Sequence, residues 1–176
     1  MSDLERLSSP IIPRFFSKRA LLCIMIEEYN NLNGIAEIWC EAFGDTFDDV
    51  KYFYENLKYG KCFAYIKDGK AVSLLFFVDC SLGDCAAKYI YAACTLKQYR
   101  GRGYMSQLLS YVCSFGSDVC LIPADERLVA YYKQRGFNEV RNVDELKFFE
   151  NDVINNDYLI VGCSLKKPIV LLNTED

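Results

Sequence analysis

Two spacings of apolar residues alternate along the chain, and together they lay out its elements. Arg19 to Ile26, RALLCIMI, has strand composition. The next stretch, NNLNGIAEIWCEAF, instead repeats its apolar residues at Leu32, Ile35, Trp39 and Phe43, the spacing of one helix face. DTFDDVKYFYENL does the same with Val50, Phe53, Tyr54 and Leu57, and offers Asp45 or Thr46 as N-cap. KCFAYIK and KAVSLLFFVD are apolar runs joined by Asp68-Gly69, a pair that suits a type I′ hairpin turn because both central residues need positive φ. After the turn residues SLGD a third strand, AAKYIYAACTL, runs into YRGRGYMSQLL. Met105, Leu108, Leu109 and Val112 mark a helix that Gly116 ends, and VCLIPAD holds a short apolar strand suited to a central parallel position. Asp125 caps a helix over ERLVAYYKQR that Gly136 stops; FNEV, LKFF and DYLIVGCSL read as further strands, and PIVLL as an edge strand or contact surface.

This order of a strand, two helices, a three-stranded meander, helix, strand, helix and closing strands is mixed α/β with one parallel crossover. At 176 residues the chain suits one domain. An apolar share of 52% with 25% charged residues is that of a soluble globular protein, and a net charge of −4 argues against nucleic acid as the main partner. The opening MSDLERLSSPIIPRFFSKR lacks the unbroken apolar core of a secretion signal, and no apolar run reaches transmembrane length, so no membrane partner is expected. The nine cysteines lie scattered through apolar runs (Cys23, Cys62, Cys94, Cys113, Cys120, Cys163) without C-x-x-C spacing, as reduced core residues of a cytoplasmic protein do. Histidine is absent, which removes the commonest general base and the commonest zinc ligand; no metal is expected, and chemistry falls to Tyr, Cys, carboxylates, backbone dipoles or a cofactor.

The stretch Arg100-Gly101-Arg102-Gly103-Tyr104-Met105 concentrates that chemistry. It joins a strand end near Leu96 to a helix start near Tyr104, where first-turn amides lack intrahelical acceptors, glycines admit close approach to the backbone, and two arginines add donors suited to phosphate oxygens. A P-loop is excluded because no Gly-Lys-Ser/Thr ending follows. A dinucleotide fingerprint would use Gly101, Gly103 and Asp125, but its third glycine position is Ser106 and too little chain follows for a doubly wound sheet.

Tyr89 to Phe137 resembles the GNAT superfamily of acetyl-CoA-dependent N-acetyltransferases. Its turn signature, Arg/Gln-x-x-Gly-x-Gly/Ala, is matched from Arg100 onward except that Met105 replaces the final small residue. A tyrosine four residues before Gly-Phe, its second signature, is Tyr132 with Gly136 and Phe137. The resemblance implies one domain over residues 19–166, with 1–18 as an extension and 167–176 as a tail or edge strand. It implies a mostly antiparallel central sheet with one splayed parallel pair, and helices on both faces.

By the same resemblance, the pyrophosphate of acetyl-CoA sits on Arg100, Gly101, Arg102, Gly103, Tyr104 and Met105, and the pantetheine arm pairs with the strand edge at Cys94, Thr95 and Leu96. An amine attacks the thioester directly, and Tyr132 gives a proton to the departing thiolate, a role suited to a phenol with a pKa of about 10. Tyr89 and Tyr91 share one strand face as candidate acceptor-pocket residues. The acceptor implied is a primary amine of a small molecule or peptide, and a homodimer is compatible with it. Many members carry a glutamate on the strand before the turn, and AAKYIYAACTL has none. Glu41, Asp45, Asp48 and Asp49 are the alternative acids, or the amine loses its proton to water. A non-catalytic acyl-CoA-binding module is the other reading of the same motifs.

Overall fold

Residues 25–150, 152–154 and 156–174 are described by the computed structural model of the chain. The strand expected over Arg19–Ile26 lies mostly outside them; within them β1 (Ile26–Glu28) takes up where that stretch ends. Helix α1 (Leu32–Phe43) starts at Asn31, whose side chain accepts the Gly34 N–H at 3.2 Å, and stops at Gly44 with φ 83°. Helix α2 (Phe47–Asn56) starts at Thr46, which exchanges side-chain and backbone hydrogen bonds with Asp49. Thr46 is therefore the cap, while Asp45 accepts the indole N–H of Trp39 at 2.6 Å.

Strands β2 (Gly60–Lys67) and β3 (Lys70–Leu82) form the expected hairpin, with φ 51° at Asp68 and 76° at Gly69. β4 (Cys85–Thr95) completes the antiparallel meander. Helix α3 (Tyr104–Cys113) follows, ending at Ser114 ahead of Gly116; then come β5 (Val119–Leu121), parallel to β4, and helix α4 (Glu126–Lys133), capped by Asp125. β6 (Glu139–Asn142) and β7 (Leu146–Phe148) supply two of the closing strands.

Two segments depart from the sequence reading. The DYLIV run expected as strand is helical, α5 (Asn156–Val161). PIVLL becomes β8 (Ile169–Asn173), inserted between β5 and β6, so it is an interior strand and no edge. Its Val170 and Leu171 have no exposed surface, and burial on that scale explains why the run is purely apolar. The sheet runs β1-β2-β3-β4-β5-β8-β6, with β7 paired to β3.

Helices cover both faces. On one, Ile35, Trp39, Val50 and Phe53 from α1 and α2 pack on Leu74, Phe76 and Val78 of β3. On the other, Leu108, Leu109, Val112 and Tyr132 from α3 and α4 pack on Val72, Leu75, Phe77 and Ile90. β3 is buried along nearly its whole length because both layers use it. Among the described cysteines Cys62, Cys80, Cys94 and Cys120 are buried, Cys40, Cys113 and Cys163 partly so and Cys85 exposed, all as free thiols. No helix of the described residues is long and apolar enough to cross a membrane.

Candidate functional site

The site begins with a defect in β4. Ala92 adopts φ 50°, unusual for a residue with a Cβ, and the pairing with β3 slips there: Tyr91 faces Phe76, but the next facing pair is Cys94 with Leu74. On its other side β4 meets β5 only at Lys88↔Val119 and Tyr89↔Cys120. The next amide on that side, Ile122 N–H, donates to the Tyr89 phenol oxygen at 3.3 Å. A side chain thus takes the place of a ladder bond, the strands separate, and the β4 backbone from Tyr91 to Thr95 has no strand beside it on the β5 side among the described residues.

A single 3₁₀ turn over Lys97–Tyr99 then leads to Gly101 at φ 73° and Gly103 at φ 81°, the N-cap of α3. A Cβ added at either glycine would meet nothing within 4 Å, so the glycines are required by backbone conformation, and the space before them stays open. No side chain caps the first turn of α3, so its amides remain available to an anion. Arg100 Nε donates to the Thr95 carbonyl at 2.9 Å, tying the turn to the strand end, and the Arg102 guanidinium lies 5.5 Å from the centre of the Tyr99 ring.

Between the end of β4, this turn, the start of α3, α4 and the last turn of α1 lies a cavity of ≈ 490 Å³. Of the expected site residues, Cys94, Thr95, Arg100, Gly101, Gly103, Tyr104, Met105 and Tyr132 line it. Leu96 and Arg102 do not: Leu96 is 2% exposed and its N–H bonds the Val72 carbonyl of β3, and Arg102 is stacked on Tyr99. Nor do Tyr89 and Tyr91, the expected acceptor-pocket pair. Tyr89 is buried as the wedge between β4 and β5, and Tyr91 stacks on Phe53 at 4.9 Å.

Eight further lining residues were not among the expected site residues: Ala42, Phe43, Ala93, Tyr99, Ser106, Leu128, Tyr131 and Arg135. Phe43 had been expected on the buried face of its helix; it is 51% exposed because the end of α1 overhangs the cavity. Arg135 could have been suspected from its place two residues before Phe137, although only the folding of α4 against α3 shows what it touches.

Among the described residues, the lining contains no carboxylate. Burial raises the Tyr132 phenol well above its ordinary pKa, Tyr131 adding to the shift and Arg135 opposing it, so the phenol keeps its proton at physiological pH. Burial also pushes the Cys94 thiol far up, against the pull of Arg100, and leaves it a poor nucleophile. The four acids considered as bases are engaged or exposed elsewhere. Glu41 Oε1 accepts the Lys97 N–H at 2.6 Å, Asp45 holds Trp39, Asp49 is held low by its bonds to Thr46, and Asp48 is exposed on α2. Asp125, the acid a dinucleotide fingerprint would need, accepts the Leu128 N–H at 2.8 Å as a helix cap.

A family model described as the Acetyltransferase (GNAT) family matches residues 29–137. Among solved structures, the chain is similar to a Corynebacterium glutamicum protein described as histone acetyltransferase HPA2 and related acetyltransferase, at 12% identity and TM-score 0.63, over 86% of this chain and 96% of that one. A Bacillus subtilis acetyltransferase in complex with CoA matches at 13% identity and TM-score 0.57, over 86% and 99%. A longer Enterococcus faecalis protein, described as a probable N-acyltransferase, is covered over only 31% of its length, against 63% of this chain, at 12% identity and TM-score 0.49. No curated protein matches the sequence.

Proposed function

The chain belongs to the GNAT acetyltransferase family, and from that premise we propose that it transfers acetyl from acetyl-CoA to a primary amine of a small molecule or peptide by direct attack. The observation that carries this reading is the meeting, in one cavity, of an uncapped helix start, a strand edge without a neighbour and a buried phenol. The residues present fit the donor. Gly101 and Gly103 leave open space before a backbone whose amides suit a pyrophosphate, and the β4 edge at Cys94 and Thr95 suits a pantetheine amide. When bound, acetyl-CoA supplies an activated acyl group as a thioester.

The chain's own residues then align and protonate. The cavity walls hold the reacting atoms in register, which alone supplies a large part of an acyl-transfer barrier. Tyr132 is protonated at neutral pH and can donate its proton to the leaving sulfur. With no carboxylate among the described residues of the lining, the incoming ammonium gives its proton to water. kcat/KM therefore climbs with pH toward the acceptor's own pKa, and a less basic acceptor shifts the curve down in step. An inflection that stays fixed whichever amine is used, and that disappears on mutation of Glu41, Asp45, Asp48 or Asp49, would replace water by that carboxylate.

The non-catalytic acyl-CoA-binding module remains a second reading because Met105, in the lining, stands where the turn signature has a small residue. Mass spectrometry of an amine panel incubated with acetyl-CoA separates the two: acetylated amine establishes transfer, and CoA binding without any product establishes the module.

A further inference from the structure

Arg135 is a cation in the cavity wall that no acid answers. It takes part in no ion pair among the described residues, and no carboxylate shares the lining with it. Its side chain is nonetheless tightly held. Nε donates to Ser106 Oγ at 2.9 Å, Nη1 donates to the Tyr131 carbonyl at 2.5 Å, and the guanidinium lies 3.4 Å from the centre of the Tyr131 ring. Ser106 Oγ is in turn 3.3 Å from the Tyr131 hydroxyl. Fixing so long a side chain gives up rotamer entropy that a solvated surface arginine keeps. The contacts join the third residue of α3, whose first turn faces the cavity, to the end of the helix that carries Tyr132.

We propose that Arg135 is a positioning residue for acyl transfer: it fixes Tyr132 relative to the first turn of α3 and sets a positive charge beside the phenol at the moment the phenol gives up its proton. The inference rests on the acetyl-transfer reading. In that step the amine nitrogen forms a bond to the acyl carbon, the carbon–sulfur bond breaks with its electron pair going to sulfur, and the Tyr132 proton moves to that sulfur. A phenolate is left, which water reprotonates, while the amine's surplus proton goes to water. The guanidinium rests on the Tyr131 ring, whose centre lies 5.3 Å from that of Tyr132, while the other arginine of the lining, Arg100, is tied to the Thr95 carbonyl, so Arg135 is the cation placed to answer the nascent phenolate. The opposing pull of Arg135 on the raised Tyr132 pKa agrees in sign. Arginine serves here because its fork reaches a hydroxyl and a carbonyl at once while its plane lies on a ring.

The test compares Arg135→Met, Arg135→Lys and Ser106→Ala with the wild type, by steady-state kinetics, CoA calorimetry and ¹⁹F NMR titration of a fluorotyrosine placed at position 132. Arg135→Met should lower kcat by roughly tenfold or more while CoA affinity stays within about threefold, and should raise the pH at which the fluorophenol ionises. Arg135→Lys should recover part of both, because charge returns without the fork. Ser106→Ala keeps the charge and frees the side chain, so it should lower kcat less than Arg135→Met. An unmoved titration in Arg135→Met, or an Arg135→Lys no better than Arg135→Met, overturns the proposal. A wild type that binds CoA but acetylates no amine overturns the acetyl-transfer reading and with it the catalytic use of Arg135. An active wild type with an equally active Arg135→Met refutes Arg135 alone.

Discussion

The two edges of β4 have opposite fates. Toward β3 it is paired from Ser73↔Thr95 to Leu82↔Cys85, interrupted only at the Ala92 bulge; toward β5 it is paired at two positions and then abandoned. The residue types are alike on both sides, so composition does not make the difference. A wedge does: Tyr89 satisfies the Ile122 amide that a continued ladder would have used, and the strands part without leaving a buried donor orphaned. One edge holds the fold together and the other lies open beside the cavity.

The largest effect should come from attacking the structural edge. Phe76, on β3 opposite Tyr91, has no exposed surface and packs on Trp39 and Phe53, so Phe76→Ala should cost about 3–5 kcal/mol in denaturant unfolding. A loss below about 1 kcal/mol would mean that the β3 edge is no more than a scaffold of convenience. On the ligand edge, Gly103→Asp puts a negative charge where a pyrophosphate is expected and strains the backbone at φ 81° by about 1–2 kcal/mol. CoA affinity should fall by about 3 kcal/mol, more than about 100-fold, beyond the loss of folding stability that the strain brings. Calorimetry showing undiminished CoA binding would remove the turn from the site.

Tyr132→Phe keeps the packing volume and removes the hydroxyl. It should lower kcat on the order of 100-fold with little change in CoA affinity, and a fully active variant would make Tyr132 a core residue only. The smallest effect falls on the wedge. Tyr89→Phe strands the Ile122 amide and should cost about 1–2 kcal/mol at neutral pH. Burial raises the folded-state pKa of Tyr89 above the unfolded value of about 10. The favourable term is thus fully present below pH 10 and lost as pH climbs beyond it, because the unfolded chain releases the proton first. Stability measured from pH 9 to 11 should therefore decline more steeply in the wild type than in Tyr89→Phe.

Local signals were legible where the backbone itself imposes the residue. Asp68-Gly69, Asp125 and the Gly101–Gly103 turn all behave as their conformational preferences dictate. DYLIV misled because a short apolar run carries no period that separates a one-turn-and-a-half helix from a strand. PIVLL misled because its burial comes from β5 and β6, elements distant in sequence. The cavity showed the same division. The turn and Tyr132 were visible as motifs, whereas Tyr131 and Arg135 enter the wall only through the approach of α4 to α3. Tyr89 and Tyr91 were placed together on one strand face by alternation, and neither lines the cavity. Alternation fixes a direction, and the neighbours on that face, Phe53 and the Ile122 amide, decide the use.

The placement of β8 has a consequence for the order in which the molecule can be assembled. β5, three residues long and joined to β4 at two positions, obtains its fuller ladder from β8, from Val119↔Asn173 to Leu121↔Leu171. On a ribosome the meander of residues 60–95 can emerge and close by itself, since its pairings are local. The β5 side of the sheet has to wait until residues 169–173 have left the exit tunnel, after the turn and both flanking helices are already outside. A nascent chain thus carries every element that lines the cavity before the short strand beside β4 has gained its main partner.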